Sequence, residues 1–198
     1  MRLVGLATAL VALVVLLAGC GGSAAKRSTV ALLGIEPQGR LADPSDFELT
    51  DQDGKTVRLS TLRGNLVLIT FLYTHCPDVC PLTAESLNQA LGELGPDRSR
   101  VRVLAISVDP AGDTPEAVQA FAKAHRLLPE FRYLTGSRAK LVRTWRAFYL
   151  GVEPVSGRPF VDHSSYVLLI DDEGRGRARY PGVPTSADVL HDLRALLD

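Results

Sequence analysis

The chain has 198 residues, and its 22 Lys and Arg balance its 22 Asp and Glu. A net charge of zero removes the main compositional signal for nucleic-acid binding, and a hydrophobic content of 46% argues against a disordered chain. We therefore expect no nucleic-acid partner, and the length allows one or two compact domains.

The chain opens with an export signal. A single Arg2 precedes an aliphatic run over residues 3–18, which ends in front of Cys20. The run is shorter than the ~20 residues that cross a bilayer as a helix, and small residues before a cysteine suit signal cleavage. The segment resembles a bacterial lipobox, in which a leader at residues 1–19 is removed and the Cys20 thiol carries lipid. An uncleaved transmembrane anchor is the alternative, and both place the domain outside the cytoplasm.

A linker is predicted to follow the leader. Residues 20–46 are interpreted as the lipidated cysteine and a flexible linker, because the small and polar residues 21–28 offer too little apolar surface to pack. Regular patterning begins near Phe47. Residues 47–198 are therefore expected to form one compact domain.

The domain is predicted to begin with a β-hairpin. Residues 47–50 and 56–59 alternate apolar with polar side chains around Asp53-Gly54, a pair that accepts the positive φ angles of a tight turn. Residues 65–72 form an almost unbroken apolar run, which is typical of a strand covered on both faces. This run is predicted to be the central strand.

Strands and helices alternate in the rest of the domain. The start of one helix is marked by Asp113-Thr114-Pro115. The alternation predicts an α/β fold with a mixed central sheet and flanking helices, in which functional side chains lie in loops at the carboxyl ends of strands. Helices are predicted at residues 82–94, 115–127, 137–148 and 186–197, and strands at 101–108, 131–134, 165–170 and 177–180.

Two cysteines, Cys76 and Cys80, lie between the central strand and the first helix, in the segment THCPDVCP. If this segment is helical, the spacing places both thiols on one face, about 6 Å apart along the axis. If Pro81 takes the first helical position instead, Cys80 is the N-cap and unpaired amides favour its thiolate. Both geometries keep the sulfurs close enough to share one ion.

A third ligand narrows the choice of metal. Thiolates suit Cu(I), zinc and iron–sulfur clusters alike. His163 is the leading candidate, because it immediately precedes an apolar strand and so lies in a loop at the end of a strand. Two sulfurs and one nitrogen match neither a closed structural zinc site nor a four-cysteine cluster, and they accommodate copper in either oxidation state. Copper is therefore the predicted metal.

Two alternatives for the cysteine pair involve no metal. Cys76 and Cys80 can form a stabilising disulfide in an oxidising compartment, although a bridge across so short a loop restricts little chain entropy. They can also form a redox-active dithiol, as thioredoxin-like oxidoreductases do at a strand-to-helix junction. Those proteins, however, place two residues between their cysteines, where this chain has three. They also place a proline immediately before the strand that corresponds to the one beginning at Tyr166, and this chain has no proline there.

These residues resemble the SCO/SenC family, copper-binding proteins that help to assemble cytochrome c oxidase. Residues 71–81, FLYTHCPDVCP, are similar to the family's central motif, and Val161-Asp162-His163 is similar to its histidine segment. Residues 47–64 and 106–115 agree as well. The resemblance therefore extends from about Phe47 to the C-terminus.

The resemblance implies a thioredoxin-like fold in which Cys76, Cys80 and His163 bind one copper ion, as Cu(I), Cu(II) or both. It implies a metallochaperone, anchored by lipid at the extracytoplasmic face of a membrane, that receives copper from an upstream donor and delivers it to the CuA centre of oxidase subunit II. It equally allows an oxidoreductase that reduces the cysteines of that subunit and forms a Cys76–Cys80 disulfide. Asp78 and Asp162 flank the ligands and are candidates to orient a ligand or contact a partner.

Overall fold

The fold begins with the predicted hairpin. In the computed structural model, which describes residues 30–154 and 161–198, strands β1 (Glu48–Thr50) and β2 (Thr56–Arg58) pair antiparallel. Gly54 has a φ angle of +76°, a value that glycine adopts without steric cost. The Asp51 carboxylate accepts hydrogen bonds from the amides of Asp53 and Lys55 and so fixes the turn.

Strands and helices alternate in the remaining chain, as predicted. In chain order the elements are β3 (Leu66–Leu72), α1 (Val79–Glu93), β4 (Val101–Ser107), α2 (Pro115–Ala124), β5 (Phe131–Leu134), α3 (Arg138–Ala147), β6 (Val152–Pro154), β7 (Val161–His163), β8 (Tyr166–Ile170), β9 (Gly176–Pro181) and α4 (Ser186–Leu197). The described residues also contain three short 3₁₀ helices: Gly39–Leu41 before β1, Leu59–Leu62 between β2 and β3, and Gly95–Arg100 between α1 and β4.

The main sheet has five strands in the order β5-β4-β3-β8-β9, so the predicted central strand, β3, lies in the middle. Strands β4 and β5 run parallel to β3, whereas β8 runs antiparallel to β3 and β9 antiparallel to β8. All residues of β3 and β8 are buried, which requires cover on both faces of the sheet. The carboxyl ends of β3, β4 and β5 therefore lie at the same end of the sheet as the start of β8, and this end is called the edge of the sheet below.

Three helices begin at side-chain caps, of which only Thr114 belongs to a start signal named from the sequence. The hydroxyl oxygens of Thr114, Ser137 and Thr185 accept hydrogen bonds from backbone amides three residues further along the chain. Such caps satisfy amides that have no acceptor within the helix. They explain why the predicted starts of α2, α3 and α4 agree with the structure to within one residue.

Helix α1 starts earlier than predicted. Its N-cap is Asp78, so Cys80 is the second residue of the helix and Pro81 the third. The interpretation of Cys80 as the N-cap is therefore wrong. A proline fits anywhere in the first helical turn, because the amides of that turn have no intrahelical acceptor and the missing N–H of Pro81 costs no hydrogen bond.

Strands β6 and β7 form a second hairpin that the sequence analysis did not predict. Val152 pairs with His163, and Glu153 pairs with Asp162. His163 is thus the last residue of a short strand and not the loop residue predicted from the sequence. A three-residue strand is too short to produce a recognisable alternating pattern.

The segment before the first hairpin packs closer to the domain than predicted. Ile35 and Arg179 of β9 exchange two backbone hydrogen bonds of 3.0 and 2.7 Å. The amides of Leu33 and Gly34 donate to the buried carboxylate of Asp192 in α4. The predicted end of the flexible linker at residue 46 is therefore wrong, since residues 33–35 already pack against β9 and α4.

The predicted leader and the predicted lipid site at Cys20 lie outside the described residues. Within residues 30–154 and 161–198, none of the helices combines the length and the apolar character that a bilayer span requires.

Candidate metal centre

The cysteine pair lies where β3 leads into α1. The amide of Cys76 donates to the carbonyl of Tyr73 at 3.3 Å, which closes a tight turn directly after the strand. Cys80 is fully buried in the first turn of α1, whereas Cys76 is half-buried. Both are free thiols, and Cys76 is near enough to Cys80 to raise the pKa of its thiol. The structure therefore brings the two predicted sulfur ligands together.

The environment of Cys80 favours the thiol over the thiolate. Burial raises the pKa of Cys80 far above its ordinary value, and the neighbouring Cys76 and the charge of Asp113 act in the same direction. A backbone hydrogen bond from Tyr73 opposes the shift only in part. The thiolate expected for a Cys80 at the N-cap is therefore not favoured in this structure, because burial raises the pKa of its thiol. A metal ion must displace a proton from this sulfur.

The buried carboxylate of Asp113 holds the turn between β3 and α1 in place. Oδ1 of Asp113 accepts hydrogen bonds from the amide and the hydroxyl of Thr74, each at 2.8 Å. Oδ2 accepts from the hydroxyls of Ser107, at 2.6 Å, and Tyr133, at 3.1 Å. Burial raises the pKa of Asp113, and these four hydrogen bonds offset only part of that effect.

This supporting role of Asp113 was not predicted from the sequence, in which Asp113 is only part of a helix start signal. One signal could have identified it. Asp113 follows β4, which runs parallel to β3, so both strands direct their following loops to the same edge of the sheet.

His163 lies at the same edge of the sheet, at the end of β7. Its Nδ1 is 3.0 Å from the backbone oxygen of Ser164. A carbonyl oxygen only accepts, so Nδ1 carries the proton and Nε2 retains the lone pair that a metal could use. Burial lowers the pKa of His163, although the contact to Ser164 and the charge of Asp162 oppose the shift. The imidazole is therefore held in its neutral, ligand-competent form.

Tyr73 connects the two parts of the site. Its carbonyl accepts the Cys76 amide, and its ring packs edge-on against the His163 ring with 6.1 Å between centroids. Within the described parts of the chain, no three Cys, His, Asp or Glu side chains lie close enough together to hold one ion. The fold thus pairs the thiols and places His163 at their edge of the sheet, but does not close a three-ligand set.

The two flanking carboxylates are both exposed. Asp78 is the N-cap residue of α1, although its side chain makes no capping hydrogen bond. Asp162 lies in β7 and shares a small open pocket with Glu153 and His163. Their predicted role in orienting a ligand or contacting a partner stays a prediction.

A model of the SCO1/SenC family matches residues 36–198. The chain belongs to the SCO1/SenC family. The family match begins at Glu36, inside the segment predicted as linker, in agreement with the packing of residues 33–35. The SCO2-like protein of Rickettsia conorii is 34% identical over 135 residues, which cover 66% of this chain and 65% of that protein. The SCO1/SenC chain thus spans just under two thirds of the length of the Rickettsia relatives that it matches.

Solved structures of Sco proteins confirm the thioredoxin-like fold. Apo Sco1 from Thermus thermophilus is 32% identical with a TM-score of 0.73, and the match covers 85% of this chain and 99% of that one. ScoI from Bradyrhizobium japonicum, with copper bound, is 32% identical with a TM-score of 0.69 and coverages of 77% and 98%. BsSco, described with a disulfide switch and as a member of the Sco family of cytochrome c oxidase assembly proteins, is 27% identical with a TM-score of 0.66 and coverages of 84% and 95%.

The site of this SCO1/SenC chain is chemically suited to two reactions. Two adjacent thiols can bind a soft metal ion as thiolates, and a neutral imidazole at the same edge can complete the set. The same thiols can exchange with a disulfide, with half-buried Cys76 as the sulfur that a partner can reach. Both reactions use the same pair.

Proposed function

We propose that this protein binds one copper ion through Cys76, Cys80 and His163 and supplies it for assembly of the CuA centre of cytochrome c oxidase subunit II. The observation that carries the proposal is the pair of free, neighbouring thiols with an imidazole of lowered pKa at the same end of the sheet. The copper bound to the Bradyrhizobium relative and the oxidase-assembly role given for the BsSco family support it. Copper is cargo here, so an upstream donor must supply it.

Copper binding requires His163 to approach the thiols. Strands β6 and β7 pair with each other and form a sheet separate from the five-stranded one. The hairpin can therefore shift without breaking a backbone hydrogen bond of the main sheet. The cysteines supply the fixed half of the site, and His163 supplies the adjustable half.

A copper titration of the reduced full chain in detergent tests the ligand set. Competition with a chelator measures Cu(I) affinity, and sulfur-to-copper charge-transfer absorption measures Cu(II) binding. We expect one ion per chain. We also expect Cys76→Ser, Cys80→Ser and His163→Ala each to weaken copper binding by on the order of 100-fold, because mutation of a residue that only hydrogen-bonds to a metal ligand already lowers metal affinity by about 10–100-fold.

The matched control is His125→Ala. His125 packs on Phe121 and pairs with Glu85, outside the proposed ligand set. Its replacement should leave copper affinity unchanged. Wild-type affinity in all three ligand variants would contradict the proposed site.

The second candidate function is reduction of a disulfide in subunit II. In that reaction the Cys76 thiolate attacks the partner's disulfide, Cys80 resolves the mixed disulfide, and the protein leaves oxidised while the partner gains two thiols. The half-buried thiol of Cys76 beside the buried thiol of Cys80 favours this possibility. Oxidase activity in cells that carry His163→Ala separates the two: full activity supports reduction, and loss of activity supports copper transfer.

We further propose that residues 1–19 are a cleaved leader and that lipid on Cys20 holds the domain at the extracytoplasmic face of the membrane. The aliphatic run that ends before Cys20 supports this. Fatty-acid labelling of wild type and Cys20→Ala, followed by membrane fractionation, tests it. We expect the variant to lose the label and to remain an uncleaved precursor, whereas an uncleaved transmembrane anchor predicts that neither chain is labelled or cleaved.

A further inference from the structure

The segment that carries Cys76 is tied to the rest of the fold through a buried carboxylate. Cys80 is fixed by its place in α1, but residues 73–78 lie between β3 and α1 and form no regular element. Within this segment Thr74 is tied through both its amide and its hydroxyl to Oδ1 of Asp113. Cys76 is only two residues further along. The position of its sulfur therefore depends on where Thr74 is held.

Asp113 itself is held rigidly. The residue is 3% exposed, and the second oxygen of its carboxylate accepts from Ser107 at the end of β4 and from Tyr133 in β5. An ionised carboxylate has about four acceptor positions, and four donors from three parts of the chain occupy them. Because each of these hydrogen bonds has a charged acceptor, each is stronger than a neutral one. The carboxylate thus links the segment that carries Cys76 to two strands of the sheet, β4 and β5.

We infer that Asp113 is a positioning residue for the dithiol: its carboxylate, through Thr74, keeps the Cys76 sulfur beside the sulfur of Cys80. The inference deepens the proposed function, because both copper binding and disulfide exchange require the two sulfurs to act together. The alternative is that Asp113 only stabilises the fold. A measurement that depends on the distance between the sulfurs, and not on global stability, separates the two roles.

Equilibration with glutathione provides this measurement without any metal. The dithiol of Cys76 and Cys80 reacts with one glutathione disulfide to give the protein disulfide and two glutathione thiols, so two electrons and two protons pass from protein to glutathione. The equilibrium constant reports how well the fold pre-arranges the two sulfurs. For Asp113→Ala in the full chain, we expect this constant to fall by roughly tenfold, the equivalent of one hydrogen bond to a charged group.

The chain offers a matched control in Asp192. This fully buried carboxylate also accepts from two backbone amides, those of Leu33 and Gly34, and from a tyrosine hydroxyl, that of Tyr180. It has the same chemistry but supports the N-terminal segment and not the dithiol. Asp192→Ala should lower the free energy of unfolding while its glutathione equilibrium stays within about twofold of wild type, as for a site without shared partners.

A second variant protects the test against loss of folding in Asp113→Ala. Thr74→Val removes the hydroxyl hydrogen bond but keeps the backbone one and leaves the buried carboxylate in place. We expect a smaller fall, roughly threefold, in the same equilibrium constant. An unchanged or larger constant in a folded Asp113→Ala or Thr74→Val protein, or an equal fall in Asp192→Ala, would overturn the inference. Copper affinity, measured separately on wild type, decides the proposed function, so the two can fail independently.

Discussion

At the scale of single residues, the two cysteines of the site differ sharply in their surroundings. Cys80 is fully buried among the apolar side chains of the core, and burial raises its pKa. Cys76 is half-buried and lies on the segment between β3 and α1. One sulfur is therefore accessible to reagents and partners, and the other is shielded.

This difference predicts ordered chemical modification. In the reduced native protein, iodoacetamide should modify Cys76 at least about tenfold faster than Cys80, because reaction requires an accessible thiolate. Mass spectrometry of peptides after timed quenching measures both rates. In denaturant the two rates should become similar, which controls for intrinsic reactivity. Equal rates in the native protein would contradict the burial of Cys80.

At the scale of elements, the turn between β8 and β9 is organised by one acidic residue. The Asp171 carboxylate accepts hydrogen bonds from the amide and the guanidinium of Arg175 and from the guanidinium of Arg177. Burial alone would raise the pKa of Asp171, but these hydrogen bonds and the charge of Arg175 outweigh it, so the pKa lies below its ordinary value. The acidic run that begins at Asp171 thus forms a hairpin turn stabilised by arginines.

The lowered pKa makes the stability of this hairpin dependent on pH. In acid the unfolded chain binds a proton at Asp171 before the native chain does, so this contribution to stability is present above about pH 4 and is lost as pH falls through the lower native pKa. We expect Asp171→Asn to lower the free energy of unfolding at pH 7 by about 1–3 kcal/mol. Urea unfolding of both proteins at pH 7 and in acid should show a difference that shrinks in acid, and a constant difference would contradict the ionised role.

At the scale of the whole molecule, residues 33–35 are part of the folded unit. Burial alone would raise the pKa of Asp192, but hydrogen bonds from Tyr180, Leu33, His191 and Gly34 lower it below its ordinary value. Two of these donors belong to the segment before Glu36. Removal of that segment would leave a buried carboxylate with fewer donors, which is costly.

We therefore expect the position of the first residue to affect stability. A chain that begins at Glu36 should unfold at a free energy lower by about 1–3 kcal/mol than one that begins at Ser28. Urea denaturation of the two chains measures this difference. Asp192→Asn should lower the free energy of unfolding less in the shorter chain than in the longer one, because the shorter chain already lacks the donating amides of Leu33 and Gly34. Equal stability of the two chains would show that residues 28–35 do not belong to the fold.

Patterns within the sequence were sufficient to predict most of the fold. The apolar run that became β3, the Asp53-Gly54 turn and the Thr114 cap are local signals, because turn angles and helix ends depend on residues a few positions apart. The closeness of Cys76 and Cys80 is local for the same reason. The family resemblance also rested on these segments.

Only the tertiary structure decided how the site is supported. The contact of Thr74 with Asp113 joins residues 39 positions apart, and that of Leu33 with Asp192 joins residues 159 apart. The packing of His163 against Tyr73 likewise depends on β8 running antiparallel to β3. No local pattern encodes such pairings, because they follow from the order of strands in the sheet. Residue types and spacing alone were therefore enough to name Cys76, Cys80 and His163 as candidate ligands of a soft metal, whereas the order of the strands fixed which groups lie near them and support them.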